Sequence, residues 1–180
     1  MKTTWLYSDP HFGHKGVTEF LNSDGTKLRP WDSVEEMDEA LIENYNNLVG
    51  PTDKVYFLGD VAINRRCLVT LDRLNGDKVL IRGNHDIFRL SDYLKHFRDV
   101  RAYHVMDRHI MAHIPIHPDS KRTFRAQIHG HLHSNLVMKR DPNTYTYEAM
   151  IPDPWYINVC VEQHNWSPVA FDEVRVSRRM

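Results

Sequence analysis

Five short apolar runs in this sequence each end in a small cluster of polar, chemically active residues. The clusters are Asp9-Pro10-His11, Gly59-Asp60, Gly83-Asn84-His85-Asp86, His113 and His129-Gly130-His131-Leu132-His133. An isolated Asp or His after a strand is usually a turn former or a solvated polar group. In an α/β sheet, however, residues just past the carboxyl ends of strands converge on one crevice. The repetition therefore predicts a single site assembled from distant parts of the chain.

The spacing of the apolar residues between these clusters is typical of an α/β protein with mostly buried strands. A helix is predicted over 33–49, where apolar residues recur at helical spacing and Ser33 with Glu36 forms a capping box. A second helix is predicted around Cys67 to Leu74. Strands are predicted at 4–7, 55–58, 79–81, 100–105, 109–112, 126–128, 157–161, 169–171 and 174–176. We expect one domain spanning 1–180.

Composition narrows the classes of function. The 180 residues carry a formal net charge of −1, which disfavours a protein dedicated to binding duplex nucleic acid. The sequence contains no long apolar run, so we expect neither export nor membrane insertion. Its two cysteines, Cys67 and Cys160, lie far apart and indicate reduced thiols in a cytoplasm. Histidine is unusually frequent, with 12 copies, and many of them lie in the five clusters.

The side chains in the clusters are typical of a metal centre. Imidazole nitrogens, carboxylate oxygens and an amide oxygen, without thiolate, suit divalent ions, with manganese favoured and iron, zinc or nickel as alternatives. A pair of such ions about 3.5 to 4 Å apart can stabilise the attacking and leaving oxygens of a hydrolysis, and can supply hydroxide at neutral pH. Two ions bring four positive charges, so a site with two carboxylates stays cationic and attracts phosphate.

The ordered motifs D-x-H, G-D, G-N-H-D, a lone H and G-H-x-H resemble the calcineurin-like metallophosphoesterase superfamily, in particular its small single-domain bacterial and phage-type members. The resemblance implies a four-layer α/β/β/α sandwich with two mixed sheets flanked by helices. It also implies two metal ions and seven ligands. Asp9, His11 and His133 would hold one ion, Asn84, His113 and His131 the other, and Asp60 would bridge them.

The same resemblance assigns catalytic roles beyond the ligands. His85 resembles the general acid that protonates the leaving oxygen, and Asp86 the residue that orients and charges the His85 ring. His14, three residues after His11, is a tentative contact for the substrate phosphate, and a plain loop histidine is an equal alternative. His117 and His129 lie close to ligands in sequence, but they are left out of the predicted site.

Together these features predict a hydrolase that cleaves phosphoester bonds, with phosphodiesters favoured over phosphomonoesters. The expected substrate is a small molecule or a nucleotide. A nuclease acting on single-stranded nucleic acid is one alternative, and a binding module that kept the fold but lost catalysis is another. The complete motif set disfavours the binding module. The oligomeric state is left open, with a homodimer among the states considered.

Overall fold

The computed structural model describes residues 2–144 and 149–176, which form a mixed α/β fold with two mixed sheets and few helices. The strands are β1 (Thr4–Tyr7), β2 (Lys54–Phe57), β3 (Asp77–Ile81), β4 (Asp99–Arg101), β5 (His104–Met106), β6 (His109–Met111), β7 (Ala126–His129), β8 (Met138–Arg140), β9 (Met150–Pro152), β10 (Tyr156–Asn158) and β11 (Val169–Ala170). Among the described residues, no helix has the length and apolar character needed to cross a bilayer.

The first sheet has the strand order β11-β1-β2-β3-β4. Strands β1 to β4 run parallel, and β11 pairs antiparallel with β1. The second sheet has the order β10-β7-β6-β5, in which β10, β7 and β6 are parallel and β5 is antiparallel. Strands β8 and β9 form a separate antiparallel pair. The parallel strands that matter for function therefore end at a common edge of each sheet.

Helix α1 (Val34–Leu48) confirms the helix predicted from the capping box. The side chain of Ser33 accepts a hydrogen bond from the Glu36 amide at 3.1 Å, which satisfies one of the free amides of the first turn. Helices α2 (Leu90–Tyr93) and α3 (Phe171–Val174) have one turn each. Within residues 2–144 and 149–176, four segments are 3₁₀ helices, and one of them is the helix predicted around Cys67. They are Lys15–Thr18, Arg65–Arg73, Pro118–Ser120 and Val161–Gln163.

The first sheet contacts an apolar core on each of its two faces, because alternate side chains of a strand point to opposite faces of its sheet. Tyr7, Phe57 and Leu80 pack on one face of the first sheet with Met37 and Leu41 of α1. The opposite face turns towards the second sheet, and this core contains Leu6, Tyr56, Leu58, Met111 and Ile128. The two sheets therefore face each other. The four-layer arrangement stays a prediction.

Two strand predictions were wrong in detail. The strand predicted at 100–105 is divided between β4 in the first sheet and β5 in the second, so the chain changes sheets at Ala102 and Tyr103. The strand predicted at 174–176 does not form, because the chain enters helix α3 directly after β11. Phe171, the first residue of that helix, is buried in the core between the sheets, and its packing selects the helical turn over a further strand.

Candidate metal centre

The strand ends bring six of the predicted ligands into two adjacent groups. Asp9, His11 and His133 form the first, which we call the Asp9 group, and Asp60, His113 and His131 form the second, the Asp60 group. Within each group the candidate ligand atoms all lie within 4.8 Å of one another. The amides of Asp9 and His11 donate to the carbonyls of Gly59 and Asp60, each at 3.1 Å, and so continue the pairing of β1 with β2 into the site.

One carboxylate oxygen of Asp9 is fixed by the protein and the other is left open. Asp9 Oδ2 accepts hydrogen bonds from the hydroxyl of Ser8 at 2.5 Å, the amide of His131 at 2.9 Å and the thiol of Cys160 at 3.2 Å. Among the described residues, Asp9 Oδ1 and both ring nitrogens of His11 are buried without a hydrogen-bond partner. Unpartnered buried polar atoms are costly unless something else binds them. Asp9 Oδ1 and His11 Nε2 lie 3.7 Å apart, which is near the about 3–4 Å between two ligand atoms that share one ion.

Asp60 lies between the two groups. Its Oδ2 is 3.4 Å from Nε2 of His113 and 3.8 Å from Nε2 of His11. Nδ1 of His113 lies 2.6 Å from the carbonyl oxygen of Leu58. A carbonyl can only accept, so Nδ1 carries a proton, and Nε2 is the nitrogen that would bind a cation once its own proton has left. Asn84, the seventh predicted ligand, has its Oδ1 2.8 Å from the same Nε2. All seven predicted ligands are thus neighbours, and one oxygen of Asp60 faces both groups.

Five of these seven residues have a backbone conformation that L-residues rarely adopt. The φ angles are 59° at Asp9, 52° at His11, 54° at Asp60, 72° at His131 and 50° at His133. Each such residue costs about 1–3 kcal/mol and persists only where the surrounding structure imposes it. Strain of this kind concentrates at functional sites. Its presence at so many of the predicted ligands supports a functional reason for the geometry of the turns.

Close backbone approach explains two of the glycines in the motifs. A Cβ atom on Gly59 would lie 2.6 Å from both the Cα of Gly83 and Nδ1 of His113, and the φ of Gly59 is +96°. A Cβ atom on Gly130 would lie 2.0 Å from the hydroxyl of Ser8. Any larger residue would therefore push apart the strand ends that carry the two groups.

Buried charges in the site stabilise one another. Burial opposes ionisation of Asp9, yet its contact with His11 and the nearby histidines hold the pKa of this carboxyl well below its usual range. Burial also lowers the pKa of His113, but the Asp60 carboxylate outweighs it and raises that pKa to about 9. A protonated imidazole this close to the carboxylates competes with an added metal ion for their negative charge. Any metal that binds here therefore displaces a proton.

Comparison with known proteins supports a family and a fold. No family model matches the chain. The uncharacterized protein MJ1445 of Methanocaldococcus jannaschii is 36% identical over 183 residues, covering 96% of this chain and 89% of MJ1445. This chain belongs to the MJ1445 family. The Gene 66 protein of Mycobacterium phage L5 is 36% identical over 91 residues, which cover 48% of this chain and 41% of the phage protein.

Among solved structures, the protein AQ665 of Aquifex aeolicus, described as of unknown function, shares the fold of this MJ1445-family chain. The TM-score is 0.66 at 22% identity, and the match covers 97% of this chain and 98% of AQ665. A novel archaeal phosphodiesterase overlaps with a TM-score of 0.45 at 14% identity, a likeness too distant to inform on this chain.

His85 and Asp86 are neighbours in the motif but differ in burial and in contacts. His85 is exposed, its ring centroid lies 5.6 Å from that of His11, and its amide donates to Asp60 Oδ1 at 2.8 Å. The Asp86 carboxylate is buried and accepts hydrogen bonds from the amides of Asp60, Val61 and Gly83 at 2.8 to 3.1 Å. These three amides account for the contacts of the carboxylate with the protein backbone, and the orientation of the His85 ring by Asp86 stays a prediction. Asp86 holds the Asp60 turn against the Gly83 turn.

The remaining histidines near the site differ in position. The ring of His14 lies between His11 and Phe20, with centroid distances of 5.5 and 5.8 Å, and its substrate contact stays a prediction. Burial lowers the pKa of His14 to about 4, so the ring is neutral near pH 7. His129 is fully buried, with Nδ1 2.7 Å from the carbonyl of Gly130. His117 is exposed and caps the Pro118–Ser120 helix.

A buried ion pair next to the Asp9 group of this MJ1445-family chain was not predicted from the sequence. Arg29 is fully buried, and its Nη2 lies 2.8 Å from Oε1 of Glu162, whose side chain is 3% exposed. Arg29 also donates to the carbonyls of Asp9 and Pro10 at 2.6 and 2.7 Å. Glu162 Oε1 lies 2.9 Å from Nδ1 of His133. A carboxylate that accepts a hydrogen bond from Nδ1 of a histidine fixes the tautomer whose Nε2 can bind a metal ion. Charged residues outside any motif read as surface groups, so the sequence carried no signal for this pair.

Proposed function

We propose that this protein hydrolyses phosphoester bonds, with phosphodiesters favoured, at a centre of two divalent metal ions. The observation that carries the proposal is the position of Asp60, whose Oδ2 lies within 4 Å of Nε2 of both His11 and His113. A carboxylate oxygen that faces two groups of candidate ligands would be able to bind two ions at once. The proposal includes membership of the calcineurin-like metallophosphoesterase superfamily with its four-layer fold.

The residues present fit such a pair of ions. Asp9 Oδ1 and His11 Nε2 are buried without partners among the described residues, and the donor set of nitrogen and oxygen atoms suits manganese, with iron, zinc or nickel as alternatives. Asp9, His11 and His133 would hold one ion, Asn84, His113 and His131 the other, and Asp60 both. When bound, the two ions would polarise the phosphoryl group and make hydroxide available at neutral pH.

The protein's own side chains complete the reaction. His85 is exposed beside the Asp60 group, where its ring can reach a bound substrate and give a proton to the leaving oxygen. Its amide hydrogen bond to Asp60 keeps the His85 backbone in register with the ligands. Asp86 fixes the turn that carries both residues through its three amide contacts. The ring of His14 lies beside that of His11, and His14 would contact the substrate phosphate. Cys67 and Cys160 are both free thiols, which fits a reducing cytoplasm.

Hydrolysis of bis-p-nitrophenyl phosphate and p-nitrophenyl phosphate with added Mn²⁺ tests the proposal. The expected result is release of p-nitrophenolate that depends on metal, is faster for the diester and is abolished by a chelator. No turnover of either ester with Mn²⁺, Fe²⁺, Zn²⁺ or Ni²⁺, in protein that demonstrably binds the ions, would refute it.

A further inference from the structure

Two adjoining cavities lie beside the Asp60 group at the carboxyl ends of β3 and β4. A cavity of about 300 Å³ touches the ligands Asn84 and His113. A neighbouring cavity of about 420 Å³ reaches Leu90 and Arg101. The two cavities share Arg82, Gly83 and Ala102 in their walls, and we call the two together the groove. The carboxyl ends of parallel strands are where α/β proteins bind ligands.

Short and apolar side chains make up part of the lining of the groove. Gly83, Ala102 and Ala112 carry at most one methyl group. Ile114 lines one cavity and Leu90 the other, and they are 49% and 51% exposed, so each offers apolar surface to a ligand. Side chains of this kind leave room for a planar ring, because burial of apolar surface favours binding.

Two guanidinium groups give the groove positive charge. Arg82 donates to the carbonyls of Asp86 and Phe88, and Arg101 donates to Asp99 Oδ2 and contacts His104 Nδ1, each at 2.7 Å. These contacts hold both side chains in place and use only some of the five N–H donors that each guanidinium carries. Asp99, whose side chain is 42% exposed, is the carboxylate that faces Arg101. An anion at the outer end of the groove would meet fixed, directional donors.

We propose that the groove binds the nucleotide substituent of the scissile phosphodiester, so that the substrate class is a short 5′-phosphorylated oligonucleotide such as a dinucleotide. The scissile phosphate lies at the two ligand groups, the adjacent base lies on Gly83 and Ala102, and the terminal phosphate meets Arg101. The assignment rests on the proposed phosphoesterase function for the position of the scissile phosphate. The groove itself is an independent feature of the surface.

Equilibrium binding to the Mn²⁺-loaded protein tests this assignment with three ligands. They are a 5′-phosphorylated dinucleotide, the same dinucleotide without its terminal phosphate, and inorganic phosphate. The internal linkage of both dinucleotides is a phosphorothioate, so that they resist cleavage during the measurement. The phosphorylated dinucleotide should bind at least about tenfold more tightly than inorganic phosphate. Ala102→Trp fills part of the groove and should remove that advantage. Tyr103→Trp is the matched control, because Tyr103 is the next residue, is 59% exposed and lines neither cavity.

Arg101→Gln tests the second anion separately. It should weaken binding of the phosphorylated dinucleotide by roughly tenfold or more and leave the unphosphorylated one unaffected, because only the former presents a charged acceptor to the guanidinium. Equal losses for Ala102→Trp and Tyr103→Trp, or a wild type that binds the dinucleotide no better than phosphate, would overturn the assignment.

The two proposals fail in different ways. A protein that hydrolyses bis-p-nitrophenyl phosphate but does not prefer the dinucleotide keeps its proposed function and loses the groove assignment. A protein that prefers the dinucleotide and loses this preference with Ala102→Trp, but cleaves no ester, keeps the groove and loses the hydrolase.

Discussion

Replacing Glu162 with Gln removes one negative charge from a buried trio of side chains and leaves its shape nearly unchanged. In the wild type, Oε1 of Glu162 lies 2.8 Å from Nη2 of Arg29 and 2.9 Å from Nδ1 of His133. Arg29 in turn donates to the carbonyls of Asp9 and Pro10. The substitution therefore acts on the Asp9 group through two of its three members, while the Asp60 group has no contact with Glu162 among the described residues.

The magnitude follows from the burial of both charges. Removing one partner of a buried ion pair costs about 3–5 kcal/mol, because the other charge stays buried without compensation. Gln keeps an oxygen that can accept from Arg29, so we expect the lower end of that range. Loss of the carboxylate that orients a metal-binding histidine typically lowers metal affinity about 10- to 100-fold. The second ion should bind with an affinity close to that of the wild type.

Competition with a chromophoric chelator measures both affinities, and calorimetric unfolding in EDTA measures the loss of stability without metal. Glu39→Gln is the matched control, because it removes a Glu–Arg pair of 2.6 Å with Arg73 at a site where the Glu39 side chain is 63% exposed. An exposed pair of this kind contributes little to stability, because solvent screens both charges. If Glu162→Gln binds two ions as tightly as Glu39→Gln does, Glu162 does not position His133 and the reasoning is refuted.

Three further predictions follow from the site and its surroundings. His85→Asn should keep both ions but lose about 10²- to 10⁴-fold in turnover, measured by metal analysis and steady-state kinetics; equal loss of metal would contradict the acid role. Asp60→Asn should weaken both ions together, seen as biphasic chelator titrations that shift in both phases; a shift in one phase alone argues against bridging. Burial raises the pKa of the Asp38 carboxyl to about 6, despite a hydrogen bond from the Gly13 amide. Ionising this carboxyl in the folded protein therefore lowers the free energy of unfolding as the pH rises from about 4 to 6, and the full loss is present above pH 6. Asp38→Asn should therefore raise the melting temperature by a few degrees at pH 7.5, worth about 1–2 kcal/mol, and have little effect at pH 4; no gain at pH 7.5 would contradict it.

The sequence was sufficient to predict that the candidate ligands lie close together, because each follows an apolar run that forms a strand. Tyr7, Phe57 and Ile81 end their strands with buried side chains, and the polar residues that come next are carried to the same edge of the sheet. Helix α1 was predictable for the same local reason, since its cap and its apolar spacing both lie within one segment.

Features that depend on contacts between distant segments could not be predicted. Arg29 and Glu162 are separated by 133 positions and pair only because the fold buries both. Asp86 follows His85 in the motif, but its carboxylate accepts from the amides of turns on two strands. The change of sheet at Ala102 also has no local signal, because residues on both sides of it have strand character. In each case tertiary packing decides what the local pattern leaves open.

The most direct test of the metal centre is the anomalous diffraction of crystals of the Mn²⁺-loaded protein. The account predicts two peaks about 3.5 to 4 Å apart, one among Asp9, His11 and His133, the other among Asn84, His113 and His131, with Asp60 in contact with both. A single peak, or manganese bound to other residues while these seven stay unliganded at saturating metal, would contradict it.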